Sequence, residues 1–132
     1  MRVVIETPFR AVDNSTKKMY TAYARRAVMD SLARGESPIA FHQWFTKFLD
    51  DASEAQRETS IMLSQEWMES AELVAVYADH GVSDGMVQGI QFAAHKGIPL
   101  VWRYLFKSSQ SKLKAISKRS RKPTQSQSLL PT

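Results

Sequence analysis

Asp79-His80-Gly81-Val82-Ser83-Asp84-Gly85-Met86 leaves an almost unbroken apolar run, Leu73-Val74-Ala75-Val76-Tyr77, and opens a stretch of helical character. A strand that delivers a short polar loop into a helix start presents free N–H groups and the positive end of a helix dipole. Phosphate, carboxylate or a hydroxyl-rich sugar suits such a place, with Ser83, Asp84, Gly85, Met86 and Gln88 around it. Ser83 or Asp84 would serve equally as a plain helix cap. Asp84 and Asp79 are the carboxylates near the turn. Thr7-Pro8-Phe9-Arg10 offers a ring for stacking on a base and a guanidinium for a phosphate or carboxylate, or else a core aromatic and a solvated charge. His42-Gln43-Trp44-Phe45 offers an imidazole that could accept or donate, with Trp44, Phe45 and Phe48 as a roof for a planar base. Those aromatics fit equally as packing or as a subunit interface, the reading favoured for Phe45 and Phe48.

The elements that must position these residues alternate. Arg2 to Glu6 reads as a first strand ending at Thr7-Pro8, and residues 15–34 as a helix stopped by Gly35. Ser37-Pro38-Ile39-Ala40-Phe41 reads as a second strand, and a helix capped by Ser53 runs to about Ser70. Leu73–Tyr77 is a central strand, covered on both faces. A helix from about 84 to Lys96 follows, stopped by Gly97, and Ile98–Trp102 is the fourth strand. The expected fold is α/β: a small open parallel sheet of about four to five strands flanked by helices, Rossmann-like, with right-handed crossovers. Loops 7–14, 42–52 and 78–86 would then converge beyond the carboxyl ends of the strands, where such folds bind ligands.

The chain has 132 residues and a net charge of +5. Residues 107–132 hold seven basic side chains and no acid, so the first 106 residues carry −2. The basicity belongs to a tail, read as mostly disordered, that could hold nucleic acid weakly or an anionic surface, or simply aid solubility. With no aromatic it has no stacking platform for single strands. The absence of cysteine excludes disulfides, thiolate catalysis and cysteine-ligated metal. His42, His80 and His95 stand far apart, so neither a metal nor a cofactor is expected. No apolar run approaches a membrane span and the N-terminus does not read as a signal peptide, so no membrane partner and a cytoplasmic location are expected.

From Val3 to Arg103 the sequence resembles the nucleoside 2-deoxyribosyltransferase-like superfamily, and within it a short, often phage-encoded branch. The resemblance is carried by Glu6-Thr7-Pro8-Phe9-Arg10, Ala40-Phe41-His42, Phe48-Leu49-Asp50-Asp51, Ser83-Asp84-Gly85-Met86 and Lys96-Gly97-Ile98-Pro99. It implies a nucleoside pocket at residues 1–106, homo-oligomers whose neighbours close the site, and a host-cytoplasm setting if the gene is a phage's. It also implies cleavage of an N-glycosidic bond by a glutamate four residues after the turn glycine. That position is Gly89, which has no side chain, and its neighbours Gln88 and Gln91 are amides.

The function expected is therefore binding, without turnover, of a nucleoside- or nucleotide-derived small molecule. Thr7, Phe9, Arg10, His42, Trp44, Ser83, Asp84, Gly85, Met86 and Gln88 would contact it. A concrete version is a phage protein that sequesters a host defence nucleotide signal. One alternative is a deoxyribosyltransferase or N-glycoside hydrolase using Asp84 or Asp79 in a rearranged site. The other is a macromolecular interaction module working through the basic tail or the aromatic loop.

Overall fold

A computed structural model of the chain describes residues 1–110. Its order is β1 (Arg2–Glu6), α1 (Asn14–Ala33), β2 (Ser37–Ile39), α2 (Phe41–Trp44), a 3-10 turn (Phe45–Lys47), α3 (Glu54–Met68), β3 (Leu73–Tyr77), α4 (Asp84–His95) and β4 (Leu100–Arg103). The four strands form one open parallel sheet in the order β2-β1-β3-β4, as expected from the alternation of elements. Val4 pairs with Val74 and Glu6 with Val76 across the central β1–β3 ladder.

Side chains alternate faces along a strand, and two cores follow. Val3 and Ile5 of β1, with Leu73, Ala75 and Tyr77 of β3, pack against Tyr23 and Ala27 of α1. Val4, Val74 and Val76 pack on the other face with Met68 of α3, and with Met86 and Ala93 of α4. The chain runs from β1 outward to β2, then crosses back past β1 to β3. The switch in winding direction falls between β1 and β3, and a crevice opens there beyond their carboxyl ends.

Local signals set most boundaries. The Asp13 side chain accepts from the Thr16 N–H at 2.7 Å and starts α1. Gly35 (φ 80°) ends that helix and Gly97 (φ 70°) follows α4, each in the left-handed region that glycine enters freely. Three readings shift. Ala40 and Phe41 leave the second strand, because the aromatic segment after Ile39 coils into α2 and the 3-10 turn, where Phe41 stacks between Phe45 and Trp67. The fourth strand begins at Leu100, because the Ile98 N–H is engaged with the Ala93 carbonyl at 2.9 Å, finishing the turn after α4. Residues 107–110, read as the start of the tail, are helical, with the Gln110 N–H donating to the Phe106 carbonyl. Residues 111–132, with the rest of the basic tail, Leu113 and Ile116, lie outside the described residues.

The face of the sheet covered by α1 carries a polar knot. Arg103 of β4 donates to both Glu36 carboxylate oxygens and to the Tyr77 hydroxyl, and Tyr77 in turn donates to Asp30. Hydrogen bonds from Arg103 hold Glu36 down to about 2, while burial pushes the Tyr77 phenol up to about 12.

Candidate functional site

A cavity of about 540 Å³ occupies the crevice at the switch point. Residues from all three of the expected loops line it, together with α3 and the first turns of α4. Thr7, Phe9, Arg10, His42, Ser83, Asp84, Gly85 and Met86 are brought together on its wall, as the sequence predicts. Trp44, Gln88 and Asp79 are not among its lining residues.

Each wall has a local cause. Ser83 accepts from the Met86 N–H at 3.4 Å, so this serine caps α4, and the buried Met86 side chain closes the cavity beneath it. Asp84 is exposed in the first turn, where its charge suits the positive end of the helix. Thr7 Oγ1 and His42 Nε2 stand 2.6 Å apart, joining the end of β1 to α2. Burial lowers His42 to about 4, so the imidazole is neutral at physiological pH. The Phe9 ring meets that imidazole edge-on at 6.3 Å.

Two arginines line one side of the cavity, Arg57 from α3 and Arg10 from the loop after β1, with Asp51 between them. Arg57 lies 3.9 Å from Asp51, which Arg10 approaches at 3.8 Å. The Arg57 guanidinium also reaches to within 3.7 Å of the point where a Cβ on Gly85 would stand. A guanidinium thus abuts the N-terminus of α4, two features that favour an anion side by side.

Glu6 is the residue that sequence reasoning missed. It ends β1 on the same face as Val4, the face covered by α3 and α4, and lines the cavity. Its carboxyl presses on α4 at Gly89: the Glu6 Cδ would lie 2.8 Å from a Cβ at residue 89, and Oε1 closer still. The expectation that this centre lacks a carboxyl because residue 89 is glycine is therefore corrected. Glu6 supplies one from the neighbouring strand. Burial pushes Glu6 up to about 8, and no hydrogen bond or neighbouring charge among the described residues offsets that push.

Three other assignments change. Asp79 is tied into the fold: it accepts from the Tyr23 hydroxyl and from the N–H groups of Leu105 and Phe106, at 2.8 and 2.9 Å for the latter two. Burial alone would raise Asp79, but the bonds from Leu105, Tyr23 and Phe106 bring it below the usual carboxylate range. Gln88 is exposed on the outer side of α4. Trp44 meets Phe48 at 5.1 Å and lines a separate shallow hollow beside α1, because α2 turns it away from the crevice.

The fold and the crevice together define an open parallel α/β protein with a cavity of about 540 Å³ at its switch point. Within that class the chain belongs to the family described as Domain of unknown function (DUF7768), whose model matches residues 1–103. No curated protein and no solved structure matches the chain. No helix among the described residues is long and apolar enough to cross a membrane.

Proposed function

We propose that the protein binds a nucleoside- or nucleotide-derived small molecule in this crevice and does not turn it over. The observation that carries the reading is the polarity of the cavity. Val4, Ile5, Phe41, Met68 and Met86 give apolar walls fit for a planar ring, while Arg57, Arg10 and the start of α4 give a side that would hold an anion, with Asp51 and Asp84 beside them. A volume of about 540 Å³ is within the range of small-molecule sites. Two of the carboxyls argue for binding over cleavage. Glu6, with its proton held up to about 8, is a poor nucleophile at neutral pH, and Asp79 is engaged in the fold. Holding a nucleotide intact is what sequestration of a signal requires, which is the role suggested by the phage-type resemblance.

Native mass spectrometry of the gently purified protein tests this, with the ligand identified after denaturation. An intact nucleoside or nucleotide released from the protein is the expected result. A free base or a sugar adduct on the chain would make it an enzyme. Protein that stays empty, and takes up none of the common nucleosides or nucleotides when offered them, would remove the small-molecule reading.

A further inference from the structure

Glu6 brings a carboxyl to the cavity wall with no hydrogen-bond donor for it among the described residues, whereas an alanine or valine at the end of β1 would need none. The chain also spends a glycine inside α4, at residue 89, where alanine would favour the helix. That glycine leaves the space which the carboxyl fills. Strand and helix thus together place on the cavity wall an acid that has no hydrogen-bond partner among the described residues, where a ligand can reach it. The charged and titratable groups lining the same cavity are Arg10 from the loop after β1, His42 from α2, Asp51 from the loop before α3, Arg57 from α3 and Asp84 from α4. Thr7 is paired with His42, and both arginines approach Asp51.

We propose that Glu6 reads the edge of the ligand's base, its carboxyl donating one hydrogen bond and accepting another from an adjacent acceptor and donor on the ring. Adenine and cytosine offer a ring nitrogen beside an exocyclic amine, and uracil and guanine a carbonyl beside a ring N–H. Each matches a neutral carboxyl, whereas an ionised one, with acceptors only, matches only the paired donors of guanine. The neutral form is the one the cavity favours, because burial holds the proton on Glu6 up to about 8. The ligand then lies with its base against Glu6 and Gly89 and its anionic end toward Arg57 and Gly85. The inference rests on the nucleoside or nucleotide reading above and names the residue that would hold the edge of the base.

Calorimetric titration of the full chain with AMP, CMP, GMP and UMP, from about pH 7 to about pH 9, tests it on three proteins. For the tightest of the four, wild-type affinity is expected to fall as pH rises through the Glu6 titration. Glu6→Gln, which keeps one donor and one acceptor, is expected to bind within about threefold of wild type at pH 7 and to lose that pH dependence. Glu6→Ala is expected to lose about tenfold or more. A thermal melt of each variant confirms that it is folded. If none of the four binds the wild type, both the function and this inference fall. If one binds but Glu6→Ala leaves its affinity unchanged, only the role of Glu6 falls. A Glu6→Gln protein as weak as Glu6→Ala, or wild-type affinity that rises with pH, would show that an ionised carboxylate does the reading and would overturn the inference.

Discussion

Arg103 and Glu36 are joined by two parallel hydrogen bonds of 2.7 Å each, between the end of β4 and the loop after α1. Both side chains are largely buried, at 8% and 13% exposure. Arg103 Nη1 also donates to the Tyr77 hydroxyl, and Glu36 Oε1 also accepts from the Ser31 hydroxyl. Removing one partner strands the other charge, and this usually costs about 3 kcal/mol or more. Arg103→Met is expected to lose stability on that scale in urea denaturation. Glu36 is depressed from 4.5 to about 2, so its contribution is present above pH 4.5 and is lost as pH falls toward 2. That acid limb should shrink in Arg103→Met.

The cavity gives a second pH dependence of opposite sign. Glu6 is raised from 4.5 to about 8, so the unfolded chain gives up this proton well before the folded one does. Stability is lost across that window as pH rises, and the loss is complete above pH 8. His42 is lowered from 6.5 to about 4, so its contribution is present above pH 6.5 and is lost as pH falls toward 4. The two slopes oppose each other at mildly acid pH, and Glu6 acts alone above it. Wild type is expected to lose about 2 kcal/mol between pH 6.5 and 8, a slope that Glu6→Gln should lack. Parallel profiles for the two proteins in denaturant would show that the Glu6 carboxyl is ionised and solvated in the native state.

Asp79 and Asp84 should separate by kind. Asp79→Ala removes an acceptor from the Tyr23 hydroxyl and two backbone N–H groups, and is expected to cost about 2–3 kcal/mol by chemical denaturation. Asp84→Asn, exposed at the cavity mouth, is expected to change stability by under about 0.5 kcal/mol.

Gly89→Ala probes the close approach directly. A helix interior gains about 1 kcal/mol from this exchange when nothing opposes it. Here the new methyl would meet the Glu6 carboxyl, whose Cδ lies 2.8 Å away. The gain is expected to be absent in wild type and to return in the Glu6→Ala background. A double-mutant cycle of melting curves measures the coupling. Additive effects would mean that the carboxyl swings away at no cost.

The sheet was legible because its signals are local. The five apolar residues of β3, the glycines after α1 and α4 and the serine before α4 each act within a few residues of themselves. The loops followed from topology, and with them eight of the expected contact residues reached the cavity. Trp44 was misplaced because a short helix rotates it, and no periodicity in four residues announces that turn. Arg57 and Asp51 were passed over because their part in the site comes from how α3 lies across the crevice, a tertiary fact. Glu6 could have been found. Val4 and Glu6 are two apart on one strand, so the acid shares its face with a core valine, and a glycine in the middle of a helix is the usual mark of something pressing close. Neither signal names the other. Only the fold brings residues 6 and 89 together.

That meeting separates where an acid is written in the chain from where it acts. One small volume beside α4 can be filled from either of two positions, and a side chain at 89 would have to displace the Glu6 carboxyl. Among related chains, then, a carboxylate at residue 6 should travel with glycine at residue 89, and a side chain at 89 with a smaller residue at 6. A search that looks for the acid only on the helix would pass over this pocket as bare, although the strand has already put a carboxyl against that helix.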